Sequence, residues 1–131
     1  MEFKVLAVGD VVAAPGMERI RRSLRQLKRK TGADFVVVNG ENAAVVGITP
    51  DQAEDLLDYG ADVITLGNHT WGKHEIATYL DDCQQILRPA NDAPQVPGVG
   101  WRIFDTKCGP VAVIDLIGRV NMDYTPDNPF L

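Results

Sequence analysis

Phe35-Val36-Val37-Val38-Asn39-Gly40-Glu41-Asn42 is a short, β-branched apolar run that passes straight into glycine and then into two residues with oxygen donors. The pattern occurs three times. Phe3-Lys4-Val5-Leu6-Ala7-Val8 leads to Gly9-Asp10, and Val63-Ile64-Thr65-Leu66 leads to Gly67-Asn68-His69. Runs of this length and composition read as strands. Asp10 and Glu41 lie 31 positions apart, and Glu41 and Asn68 lie 27 apart. Each interval suits one strand–helix–strand unit of a parallel sheet.

The segments between the runs agree. Met17, Ile20, Leu24 and Leu27 recur at spacings of three and four, which predicts a helix over 17–30 stopped by Gly32. Thr49-Pro50-Asp51-Gln52 is a helix start with a capping-box Thr and Gln and with Pro at the first helical position. That helix turns Ala53, Leu56 and Leu57 inward and ends at Gly60. A third helix is expected over 72–82 and a short fourth strand at Ile86-Leu87-Arg88. Pro94, Pro97 and Gly98 break any element there. Trp101 to Asp105 and Val111 to Leu116 flank a turn near Lys107 to Pro110 and read as an antiparallel pair. The expected fold class is α/β: a layered α-β-α sheet of mostly parallel strands, helices on both faces, and an antiparallel pair near the C-terminus. Val5, Ala7, Leu24, Val36, Val38, Leu56, Ile64, Leu66, Val113 and Leu116 are the expected core.

With 131 residues, 45% hydrophobic and 24% charged, the chain reads as one soluble domain, 1–131, with a real core. No apolar run approaches a membrane span, and Met1-Glu2-Phe3 enters a strand pattern without the layout of a signal peptide. A cytosolic setting is the default expectation. Cys83 and Cys108 read as reduced thiols. The net charge of −5 is uneven: residues 18–30 hold seven basic side chains against Glu18 alone, which leaves −11 for the rest. Such a stripe is either a solvated helix face or a surface for nucleic acid or an acidic partner.

Ligands of open parallel sheets bind beyond the carboxyl ends of the strands. Asp10, Glu41, Asn42, Asn68 and His69 would converge there. Two carboxylates, two amides and an imidazole suit Mn, Fe, Co or Zn better than Ca or Mg. Two such ions can hold the attacking and leaving oxygens of a phosphoryl transfer. Each residue also has a plainer role: Asp10 and Glu41 as helix caps, Asn68 as a turn residue, His69 as a structural imidazole. The glycine before each donor is expected to let the backbone turn tightly. Outside this set, Trp71 reads as a packing residue or a base-stacking one, and Arg119 as a surface pair or a phosphate ligand. Asp115, inside an apolar strand, needs an Arg or a backbone partner. Phosphate-loop, dinucleotide and serine-hydrolase motifs are missing from the sequence.

Gly9-Asp10-Val11-Val12, Val38-Asn39-Gly40-Glu41-Asn42-Ala43-Ala44, Gly47-Ile48-Thr49, Gly67-Asn68-His69-Thr70-Trp71, Arg88-Pro89-Ala90-Asn91 and Gly118-Arg119-Val120 closely resemble the YmdB-like branch of the calcineurin-like metallophosphoesterases. The resemblance runs in order from residue 3 to residue 130. It implies a binuclear centre of two divalent transition-metal ions, iron or manganese ahead of zinc or cobalt. It also implies hydrolysis of phosphodiesters, 2′,3′-cyclic nucleotides in particular, by metal-activated hydroxide. A cytoplasmic homo-oligomer belongs to the same expectation, and the expected partners are a phosphodiester or cyclic-nucleotide substrate, with a possible link to RNA and no membrane. Carried over by position, Asp10 resembles a ligand of the first metal, Glu41 the bridging ligand, Asn68 a ligand of the second metal and Asn42 a metal-proximal residue. His69 resembles the residue that protonates the leaving oxygen.

The family pattern is about twice as long, and its second half supplies further His ligands in a Gly-x-His-x-His type segment. This chain has only His69 and His74. The domain is therefore expected to be cut short on its C-terminal side relative to the family. The alternative to an enzyme is a non-catalytic interaction module without a complete metal centre, meeting RNA or a protein through the basic helix.

Overall fold

The computed structural model describes residues 2–131. Four parallel strands stand in chain order: β1 Val5–Val8, β2 Phe35–Asn39, β3 Val63–Thr65 and β4 Ile86–Leu87. Val5 pairs with Phe35, Val37 with Val63, and Ile64 with Ile86. The crossovers carry α1 Ala13–Thr31, α2 Pro50–Tyr59, a 3₁₀ turn over Thr70–Gly72, and α3 Ile76–Asp82. An antiparallel hairpin, β5 Trp101–Thr106 and β6 Gly109–Ile114, follows.

Local chemistry sets the helix ends. Thr49 and Gln52 form both halves of the capping box of α2, with Pro50 at its start. Gly32 closes α1 in the left-handed conformation at φ 68, its N–H reaching the Arg29 and Lys28 carbonyls. Helix α1 begins four residues earlier than its apolar stripe predicts. The expected helix over 72–82 is divided into the 3₁₀ turn and α3.

All three helices pack on one face of the sheet. Met17 and Leu24 of α1, Ala53 and Leu56 of α2, and Ile76 and Leu80 of α3 share one core with Val36, Val38, Ile64 and Ile86. This corrects the expectation of helices on both faces. Strands added in chain order always move in the same direction, and right-handed crossovers then return on the same side each time. The other face is covered by the hairpin: Phe104 and Val113 pack on Phe35, Val63 and Leu87, with the Phe35 and Phe104 ring centroids 5.6 Å apart. Lys107 in the hairpin turn pairs with Asp34 at 2.8 Å.

Six of the ten expected core residues are buried: Leu24, Val36, Val38, Leu56, Ile64 and Leu66. Val5, Ala7 and Leu116 are exposed and Val113 is half-buried. In β1 the inward residues are Leu6 and Val8, which share the face of Val36 and Val38. Alternation puts Val5 and Ala7 opposite, beyond the reach of the hairpin. The outer hairpin face presents Trp101, Ile103, Ile114 and Leu116, each more than half exposed. No helix among the described residues is long and apolar enough to cross a membrane.

Candidate active site

Each of the first three strands delivers its loop to the same end of the sheet. Asp10 follows β1 with φ 28, a left-handed conformation that a non-glycine residue adopts only under constraint. The constraint is visible in the backbone: Val11 N–H donates to the Asn39 carbonyl at 3.1 Å and Ala13 N–H to the Asn42 carbonyl at 3.0 Å, tying the first loop to the second. Neither Asp10 nor Glu41 is a helix cap. Val12 stands at the start of α1 with no side-chain cap, and Thr49 caps α2.

The side chains form one chain of hydrogen bonds. Asn42 Nδ2 donates to Asp10 Oδ1 at 2.8 Å, and Asn42 Oδ1 lies 2.5 Å from His69 Nδ1. A carboxylate only accepts, so the amide must turn its nitrogen toward Asp10 and its oxygen toward His69. His69 Nδ1 therefore carries the proton, and Nε2 is the atom left to work. Glu41 Oε2 accepts from the His69 backbone N–H at 3.0 Å. Space, more than backbone freedom, explains Gly67: a Cβ there would lie 2.3 Å from Glu41 Oε1. Tight turning is thus not what the glycines supply at these strand ends, since the positive φ belongs to Asp10 and not to Gly9.

Asp10, Glu41, Asn42 and His69 are thus joined. Asn68 sits exposed on the same loop and makes no side-chain hydrogen bond among the described residues. His74 is fully exposed beside Glu75. Among the described residues, no three His, Cys, Asp or Glu side chains gather closely enough to hold an ion.

Behind the loop lies a second group that the sequence only hinted at. Asp115 Oδ2 accepts from the Leu66 N–H at 2.8 Å, which is the backbone partner it needed. Burial pushes its carboxyl up to about 7; the Leu66 hydrogen bond opposes this, while the Glu41 and Asp92 carboxylates add to it. Asp92, also buried, accepts from Trp71 Nε1 at 3.3 Å and from the Tyr124 hydroxyl at 3.2 Å. Burial, then Asp92, pushes the Tyr124 phenol up to about 12. Asn91 fixes the tail through the Ile117 backbone and the Asp127 carbonyl. Asn91 stood inside a quoted motif. Asp92 carried no signal beyond its position in a loop rich in proline.

Known proteins resemble this chain over nearly its whole length. A family model described as YmdB-like protein matches residues 6–131. A 2′,3′-cyclic-nucleotide 2′-phosphodiesterase of Bacillus subtilis (strain 168) is 40% identical over 130 residues, covering 98% of this chain and 49% of that protein. The solved structure of a novel phosphatase from Mycoplasma pneumoniae superposes with a TM-score of 0.86 at 32% identity, over 98% of this chain and 48% of the other. A hypothetical protein from Thermus thermophilus gives 0.85 at 32% identity, over 96% and 49%. The chain spans about half the length of these relatives. Because the family model matches residues 6–131, nearly the whole of this chain, the chain belongs to the YmdB-like protein family.

Proposed function

We propose that this chain carries the proton-donating part, and a share of the metal ligands, of a phosphodiesterase site for 2′,3′-cyclic nucleotides. The observation that carries the reading is the hydrogen-bonded chain Asp10–Asn42–His69, with Glu41 on the His69 amide, at the carboxyl ends of three parallel strands. The name of the Bacillus relative and that of the Mycoplasma structure support hydrolysis of a phosphate ester. Asp10, Glu41, Asn42 and Asn68 are the proposed metal ligands, with iron or manganese as the ions. Their carboxylate and amide oxygens fit part of the shell of a divalent transition metal. Such ions, when bound, would supply a hydroxide nucleophile near neutral pH.

The protein's own groups have separable tasks. Asp10 orients the Asn42 amide, and the amide oxygen keeps the His69 ring turned with its Nδ1 proton inward. His69, when protonated, can then hand its Nε2 proton to the leaving oxygen. Glu41 fixes the loop by its hydrogen bond to the His69 amide. The further His ligands expected from the family resemblance would lie in the half of the relatives that this chain does not span.

A second reading, an interaction module, is favoured by one observation: no three-residue ligand cluster exists among the described residues. Arg19, Arg22, Arg29 and Lys30, all exposed on α1, would be its surface for RNA or an acidic protein. Manganese titration calorimetry and hydrolysis of a 2′,3′-cyclic nucleotide separate the two. On the enzyme reading Glu41→Gln weakens manganese binding, whereas His69→Ala keeps the metal and lowers turnover by about 10²–10⁴-fold. Manganese binding that is undetectable, or indifferent to Glu41→Gln, would leave the interaction module standing.

A further inference from the structure

Beside the proposed phosphodiester site lies a cavity of about 340 Å³ whose lining includes Trp71, Asp92, Pro94, Val96, Tyr124 and Pro126. Its size is in the range of small-molecule sites, and its walls are largely aromatic and apolar, with the buried acid Asp92 and the exposed Thr125 and Asp127 at its edge. The cavity is coupled to the catalytic loop. Trp71 belongs to the 3₁₀ turn that follows His69, and the Gly72 N–H donates to the His69 carbonyl at 3.0 Å. A molecule with its phosphate at His69 could therefore place its other end here.

We propose that this cavity is a nucleobase subsite, and that Asp92 makes it selective for guanine. The proposal rests on the phosphodiesterase reading for its substrate class. Trp71 is 37% exposed and offers an aromatic face for stacking. Asp92 is 7% exposed, and each of its oxygens accepts one long hydrogen bond, from Trp71 Nε1 at 3.3 Å and from the Tyr124 hydroxyl at 3.2 Å. Each oxygen keeps a further lone pair. A carboxylate with two oxygens free to accept matches a base edge with two adjacent donors. Guanine presents one, its ring N–H beside its exocyclic amine. Adenine, cytosine and uracil each set an acceptor next to the donor, which would face Asp92 with like charge. The Tyr124 phenol remains protonated over the working range and continues to donate to Asp92.

The test needs neither metal nor turnover. In a Trp101→Phe background Trp71 is the sole tryptophan, and Trp101 stands exposed on the outer hairpin face and does not line the cavity. Quenching of Trp71 fluorescence is titrated with guanosine, inosine, adenosine and cytidine 2′-monophosphates. Guanosine monophosphate should bind roughly tenfold or more tightly than the others, inosine losing affinity because it lacks the exocyclic amine. Asp92→Asn, which presents one acceptor and one donor, should erase the preference. Should that variant fail to fold, the guanosine-against-inosine comparison on the unaltered cavity still decides. Equal affinities for all four, or a preference that survives Asp92→Asn, overturns the subsite. A chain that discriminates guanine yet hydrolyses nothing upholds the subsite and counts against the phosphodiesterase reading. Hydrolysis without base preference does the reverse.

Discussion

Asp115→Asn should flatten the dependence of stability on pH. In the folded chain burial pushes the Asp115 carboxyl up to about 7, against an ordinary value of 3.8 in the unfolded chain. Below 3.8 the group is protonated in both states and contributes nothing to the pH dependence. Between 3.8 and about 7 the unfolded chain releases the proton while the folded chain retains it, so stability falls as pH rises. Above 7 the folded state carries the whole cost of a buried carboxylate. A displacement of about three units, at about 1.4 kcal/mol each, gives a loss of roughly 4 kcal/mol as an upper bound. That is a large part of a typical domain's stability. An asparagine at this position keeps an oxygen to accept the Leu66 N–H, now 2.8 Å from Asp115 Oδ2, and never ionises. Urea unfolding followed by circular dichroism at pH 5, 6, 7 and 8 is the assay. The native chain should lose stability across that series, whereas Asp115→Asn should stay level and exceed it by a margin that is already present at pH 5 and widest at pH 8. Parallel profiles for the two proteins, or a native chain that gains stability toward pH 8, would refute the assignment.

Three other perturbations follow from the geometry. Gly67→Ala puts a Cβ 2.3 Å from Glu41 Oε1, and the carboxylate is the free end of a flexible side chain, so it should swing away at little cost to folding; the His69 amide resonance should shift in the NMR spectrum while the melting temperature stays within a few degrees, and an unmoved amide would contradict the contact. Thr49→Ala removes one half of the α2 capping box and should cost about 1 kcal/mol by denaturant unfolding, with no change in the His69 resonances. Ile103→Thr with Ile114→Thr should raise the concentration at which the chain self-associates in sedimentation experiments, because both side chains stand in one exposed cross-strand apolar patch.

Much of this molecule is local, and what is local was legible. The β-branched runs at Phe35–Asn39 and Val63–Thr65 became strands, and the Thr49–Gln52 signature became a complete capping box. A strand's period and a helix cap are settled within a few residues of sequence. The donor residues after the three strands were legible for the same reason, as each sits directly beyond its own apolar run. What the sequence could not disclose is how separate segments face one another. Which side the helices take follows from strand order and crossover handedness, and the inward face of β1 follows from its register against β2. Asp115 reaches the Leu66 N–H across 49 positions, and Asp92 joins Trp71 to Tyr124 through partners 21 and 32 positions away. Hydrogen bonds of that span leave no periodicity behind, because the chain between them is free to vary. The sequence by itself determined which residues end the strands; only the tertiary structure decided that Asn42 bridges Asp10 to His69 and that a buried acid stands behind their loop.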